Sequence, residues 1–206
     1  MTKFISKLFF LIQILVLALS VPGLAYLQDS ESVEIRQMLE ERDKEIKDIL
    51  GPKGKEYTVE QREKLKNVIN GVIDFRDMAE YALGDTFQEL DENEKDEFVS
   101  LFSTIIRDNS LNRLDIYRAE ITYNEISVEN GKARVNTIAQ LEDVRTPVYY
   151  DMKKENDQWV ITDMIIDDVS TADSYNRQFQ SIVRKRGYDA LKHSLEKRAA
   201  RAESAS

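Results

Sequence analysis

An α+β fold is predicted: a curved antiparallel sheet of about four strands packed with several helices. Three observations predict it. Apolar residues recur at helical spacing through most of 29–106 and again from Tyr175 to Leu195. From Tyr117 to Ile166 they alternate as in strands, with turn residues at Glu129-Asn130-Gly131 and Glu155-Asn156-Asp157. No internal repeat or low-complexity linker divides the chain, and 206 residues suit one domain with a substantial core.

The first stretch stands apart from the fold. Met1–Lys7 carries Lys3 and Lys7 and no acid, Leu8–Leu19 is almost unbroken apolar, and Gly23-Leu24-Ala25 offers small residues to a signal peptidase. The apolar run falls well short of the roughly 20 residues that cross a bilayer. A signal peptide 1–25 is therefore expected, cleaved near Ala25, followed by a domain 26–206 with an ordered core of 30–197. An uncleaved anchor is the competing reading. The formal net charge is -9, and loss of the leader's lysines makes the remainder more acidic still. An acidic chain with no basic tract argues against nucleic acid. With no cysteine there are no disulfides and no lipid anchor of the lipobox type, so packing alone must hold the fold.

The helices can be justified one by one. Asp29–Leu50 carries Ile35, Met38, Leu39, Ile46 and Ile49 on one stripe, interrupted by Arg42, and Gly51-Pro52 stops it. Thr58 with Gln61 fits a capping box before Leu65, Val68, Ile69 and Val72. Asp74 caps Phe75–Leu83, with Gly84 just past the end. Asp91 and Glu94 open the most apolar helical face, Phe98, Leu101, Phe102, Ile105 and Ile106. Four strand-like segments follow: Tyr117–Val128, Ala133–Leu141, Thr146–Met152 and Gln158–Ile166. In the last, Trp159 and Ile161 are expected on one face, Val160, Met164 and Ile166 on the other, with Asp163 on the Trp159 side. Ser170-Thr171-Ala172-Asp173 then starts a helix through Tyr175 and Phe179, broken at Gly187. Tyr188, Leu191 and Leu195 make a last turn or two before a frayed tail from Ala199.

Catalytic groups are scarce. His193, the only histidine, sits beside Lys192 and Ser194 and reads as a surface residue, so no metal site is expected. Ser170 has no histidine or nucleophile elbow nearby and reads as a helix cap. Asp163 alone could serve as a general base on an apolar substrate, if an apolar cavity raised its pKa. Large apolar side chains are in surplus: Phe75, Met78, Phe87, Phe98, Phe102, Tyr150, Trp159, Met164, Tyr175 and Phe179 either fill a core or wall a cavity.

Four motifs carry a resemblance: Phe75-Arg-Asp-Met-Ala-Glu-Tyr-Ala-Leu-Gly84, the Glu94–Phe98 opening with Phe102, Trp159–Phe179, and Gly187-Tyr-Asp-Ala-Leu191. In this order, after a leader, they resemble the MlaC family, the periplasmic phospholipid-binding proteins of the Mla (toluene-tolerance) lipid transport system. The resemblance spans about 30–197. Phe87 stands where the family usually has Trp, and Asp168 where it has Gly. Ser174-Tyr-Asn-Arg-Gln-Phe179 replaces Asn-Tyr-Arg-x-Gln-Phe, displacing Arg177 by one residue.

The resemblance implies an NTF2-like or cystatin-like fold with an apolar cavity between sheet and helices, no cofactor and no reaction. It implies a soluble periplasmic carrier that shuttles phospholipid between an outer-membrane lipoprotein–porin complex and an inner-membrane ABC transporter bearing MCE-type rings. Candidate lipid-binding residues are Phe75, Met78, Ala79 and Leu83; Phe98, Leu101, Phe102 and Ile105; Val148 and Tyr150; Val160, Met164 and Ile166; and Val169, Tyr175 and Phe179. An enzyme of NTF2-like fold using Asp163 as base is the alternative.

Overall fold

The apolar stripes become seven α-helices and a five-stranded antiparallel sheet among the residues that the computed structural model describes: 22–54, 57–111 and 114–204. Of the expected leader only 22–25 is among them, as the opening of α1 (Pro22–Leu50), which starts earlier than the expected Asp29. The remainder of the leader lies outside the described residues. No helix among the described residues is long and apolar enough to cross a membrane. Ile35, Leu39 and Leu50 of α1 are buried. The Thr58–Gln61 capping box forms in full at α2 (Val59–Asn70), whose Leu65, Val68 and Ile69 are buried.

From α2 the chain joins the sheet for three residues. Ile73 pairs in parallel with Ile161, the Ile161 N–H donating to Val72 O at 2.7 Å and the Asp74 N–H to Ile161 O at 2.9 Å. That short pairing sets where α3 (Phe75–Leu83) begins. Asp74 caps α3 through the Asp77 N–H and pairs with Lys153 of the sheet at 2.7 Å. Burial works against the Asp74 charge, but the Asp77 N–H and the Lys153 ammonium outweigh it and hold the carboxyl below the usual range. The short α4 (Asp85–Glu89), which buries Phe87, was not expected from the sequence. The reciprocal Asp91–Glu94 cap precedes α5 (Glu92–Leu111), which buries Phe98, Phe102, Ile105 and Ile106.

The sheet is a meander, β1 (Glu120–Glu129), β2 (Lys132–Leu141), β3 (Val144–Glu155), β4 (Gln158–Ile166) and β5 (Val169–Ser170). Tyr117 belongs to a 3₁₀ turn, Leu114–Arg118, rather than to the expected first strand. The inner face is set by β2 and β3, where Ala133, Val135 and Thr137 oppose Met152, Tyr150 and Val148. The Thr137 hydroxyl donates to Val148 O at 2.7 Å, so its complete burial leaves no donor unpaired.

Two bulges decide what the outer strands bring to that face. In β1 the register moves from Tyr123↔Thr137 to Glu125↔Asn136, leaving Asn124 unpaired. In β4 it moves from Met152↔Ile161 to Asp151↔Asp163, leaving Thr162 unpaired, and the Thr162 hydroxyl donates to Asp151 O at 3.2 Å. Each extra residue inverts the alternation. Trp159 and Ile161 therefore share the inner face with Met164 and Ile166, and the expected split between them is corrected. Asp163 moves off the Trp159 side.

A fifth strand replaces the expected direct passage from strand to helix. Asp167 and Asp168 take φ of 50° and 60°, and the chain doubles back so that Val169 and Ser170 pair with Ile166 and Ile165. Two consecutive left-handed residues are what a two-residue hairpin turn needs, and Asp tolerates that region better than most residues. α6 (Thr171–Arg186) follows, capped by Ser170 as expected and ended at Gly187. α7 (Tyr188–Ser204) runs well beyond the expected turn or two. Leu191, Leu195 and Ala199 lie four residues apart on one buried stripe, and α7 packs on α5 and α6.

Asp168→Gly is expected to raise stability by about 0.5–1 kcal/mol, since relief of the left-handed conformation exceeds the entropy that glycine adds to the unfolded chain. A higher urea midpoint at unchanged slope is the readout. Because the Asp74 carboxyl is depressed, its contribution is complete above the ordinary Asp pKa near about 3.9 and disappears as pH falls through its lower folded value. Asp74→Asn should accordingly flatten the acid limb of stability against pH, measured by denaturation at pH steps below neutrality.

Candidate functional site

The residues expected to wall a cavity separate into a closed cluster, an inner-face group and a rim. Met78, Ala79 and Leu83 of α3, Phe98 and Phe102 of α5, and Phe179 of α6 are at most 1% exposed. Phe98 and Phe102 stack with centroids 6.2 Å apart, and Phe179 meets both edge-on at 5.9 and 6.0 Å. Tyr175 packs edge-on against Phe102 at 5.2 Å and accepts a hydrogen bond from Asn109 Nδ2. Phe87 and Tyr188 extend the cluster. Offset and edge-on aromatic contacts of this kind add to area burial and leave little slack. This group docks α5 against α6.

The inner face of the sheet is different. Tyr150 lies in a row with Val135 of β2 and Met164 of β4, beside Val148. Loss of hydration pushes its phenol up to about 12, with Tyr117 and Asp43 adding to the shift. Yet Tyr150 and Met164 both keep accessible surface. That remaining surface is open to a ligand lying against this face. Tyr117 and Tyr123, absent from the sequence-derived set, belong to the same neighbourhood, and their phenols are pushed up chiefly by burial. The Asn124 bulge hides Tyr123 from a reading by alternation, and its signal was only an aromatic two residues after Ile121. On α5, Ile105 is buried and Leu101 half-buried against the core.

Other candidates lie outside both groups. Phe75 is half-buried, with the Arg107 guanidinium 5.6 Å from its ring centre. Val160 faces away from Trp159 and Ile161, opposite Lys153. Ile166 and Val169, paired across the last hairpin, are 42% and 55% exposed.

Asp163 is committed to a helix terminus. It accepts the Ser170 hydroxyl on one oxygen and the Ala172 N–H on the other, at 2.9 Å, while Ser170 Oγ accepts the Asp173 N–H. A carboxylate there satisfies first-turn N–H groups and complements the helix dipole. α6 in turn holds α3. Asn176 donates to Tyr81 O at 2.8 Å, Gln180 to Leu83 O, and the Tyr81 hydroxyl to Asp173. The displaced Arg177 is exposed and donates to Ser174 Oγ at 3.3 Å, while Asn176 makes the contact to α3. Gly84 has φ +60°, and a Cβ on it would stand 3.2 Å from Gln180 Nε2, which is why the close approach takes glycine.

A groove of about 900 Å³ runs between α1 and α2, lined by Arg42, Glu45, Asp48 and Lys64 among others. Its charged, open walls do not suit acyl chains. His193 is exposed, 3.5 Å from Glu196. Among the described residues no group of three or more His, Cys, Asp or Glu is placed to hold a metal ion.

The model of the MlaC protein family matches residues 40–197. A solved structure, a phospholipid-binding protein from Ralstonia solanacearum in complex with a phospholipid, superposes with a TM-score of 0.70 at 16% identity. It covers 84% of this chain and 98% of that one. Among curated proteins nothing matches.

Asp163→Ala is expected to cost about 2 kcal/mol, near 1 for each hydrogen bond lost at the α6 terminus. Ser170→Ala should cost less in that background than alone, because the two act as one cap. Urea denaturation of the single and double variants checks both.

Proposed function

We propose that this chain, which belongs to the MlaC family, is a soluble periplasmic carrier holding a phospholipid with its tails between sheet and helices. The family match over 40–197 carries the reading, and the shared fold of a neighbour described in complex with a phospholipid supports it. So does the accessible inner face around Tyr150 and Met164. The lipid would be passed between an outer-membrane lipoprotein–porin complex and the MCE-type rings of an inner-membrane ABC transporter, with the leader 1–25 directing export. The tails lie along Val148, Tyr150 and Met164, facing Leu101 and Ile105. The closed cluster of Phe98, Phe102 and Phe179 backs that wall and gives it rigidity.

The energetics define the task. Two acyl chains hold on the order of 30 methylenes, whose exposure at about 0.8 kcal/mol each would cost roughly 25 kcal/mol. The carrier must hide nearly all of that surface. The donor membrane is equally dry, however, so only the difference between the two environments drives transfer. Met164, with three rotatable bonds and a polarizable sulfur, suits chains of varied length. Near-parity with the membrane is the design condition.

In this reading Asp163 is a structural acid, and the protein carries its ligand without transforming it. Organic extraction of the purified protein, with mass spectrometry of the extract, should recover phospholipid at about one per chain; an empty, fully stable protein overturns the reading. Met164→Arg is expected to abolish co-purification while leaving a folded protein by circular dichroism. Unchanged lipid in that folded variant would put the tails elsewhere.

A further inference from the structure

Two phenols on the inner face have no hydrogen-bond partner among the described residues. Tyr123 stands across β2 from Val148, through Thr137, and Tyr150 follows Val148 by two residues. The two rings therefore share a face, diagonal to one another. Neither hydroxyl is hydrogen-bonded to any described residue, although both rings pack against the core. Buried tyrosines ordinarily find a partner. The neighbours here do so, Thr137 at Val148 O and Tyr117 at Ser110. Both tyrosines are only half-buried, so a ligand lying against the inner face can reach them.

The surroundings select the acceptor. Loss of hydration pushes both phenols up, Tyr150 to about 12, so both remain protonated donors at any physiological pH. Glu40 and Asp43 of α1 act on the Tyr123 phenol in the same direction. A second anion placed beside those carboxylates, away from water, would be repelled. Arg36, 5.0 Å from the Tyr123 ring centre, lies 3.9 Å from Glu40, and Lys47 lies 2.8 Å from Asp43, so both cations beside these carboxylates are already engaged. What fits two neutral donors in such a place is a neutral acceptor that travels with apolar chains. An ester carbonyl is such a group.

We propose that the Tyr123 and Tyr150 hydroxyls donate hydrogen bonds to the acyl-ester carbonyls of the bound lipid. The inference rests on the phospholipid-carrier reading and deepens it. The protein then recognises its cargo at the ester level, below the head group, and selects diacyl ester lipids over dialkyl ethers. Tolerance of the head group follows, because the recognised atoms are common to all diacyl phospholipids.

The test is competitive uptake from vesicles holding equal amounts of diester and diether phosphatidylcholine of one chain length, with the protein re-isolated and its lipid quantified by mass spectrometry. The wild-type protein should enrich the diester about tenfold, from two hydrogen bonds of modest net worth. The Tyr123→Phe/Tyr150→Phe double variant, which keeps both rings, should take up the two lipids equally. Equal uptake by the wild type overturns this proposal and leaves the carrier reading standing, as does a preference undiminished in the double variant. Uptake of neither lipid by the wild type overturns both.

Discussion

One unpaired residue in β4 governs both the sheet and its connection to the helices. Side chains alternate along a strand, so inserting Thr162 exchanges the two faces of everything beyond it. Trp159 and Ile161 before the bulge and Met164 and Ile166 after it can therefore all face the helices. The same step carries Asp163 to the other side, where its carboxylate meets the start of α6. A strand of perfect alternation would put either the first apolar pair or the second on the wrong side, or take Asp163 away from the start of α6. Asn124 plays the matching part in β1, keeping Tyr123 on the face occupied by Ile126 and Val128.

From that corner the structure divides into a rigid half and an accommodating one. α6 is tied to α3 by side-chain amides on backbone carbonyls and to α5 by interlocked rings, and Leu191 and Leu195 of α7 are buried in the same core. Dense aromatic packing resists a change of volume, because every displaced ring must move several others. The inner face around Tyr150 and Met164 keeps accessible surface, and the Tyr123 and Tyr150 hydroxyls hydrogen-bond no described residue. In a carrier these properties complement each other. The rigid half holds the fold without a single disulfide.

Local signals survived folding where they depended on a few adjacent residues. The Thr58–Gln61 box, the Asp74 and Ser170 caps, the stops at Gly84 and Gly187 and the Asn130-Gly131 turn all stand where the sequence marks them. The resemblance carried by the motifs from Phe75 to Leu191 likewise led to the family whose model matches 40–197. Sequence patterns failed where they assumed an unbroken period. β4 read as apolar on both faces because a phase shift within one strand looks the same as two apolar faces. β5 passed unseen since two aspartates are weaker hairpin signals than Asn-Gly. The length of α7 was underestimated because Ala199, the residue that continues its buried stripe, is small and weakly apolar.

Composition, caps and periodicity thus suffice for the class of fold and the order of most elements, while the family came from the resemblance of four short motifs. Those properties are written in residues near one another along the chain, where propensity and hydrogen bonding act. Which apolar side chains close on each other and which stay accessible is another kind of property. Phe102 and Tyr150 look equally suited to a cavity wall in one dimension. Ring contacts from α6 close the first, while the strand register sets the second on the inner face beside Met164, where it keeps accessible surface. That distinction depends on contacts between residues far apart in sequence, and they exist only once the sheet has coiled and the helices have docked.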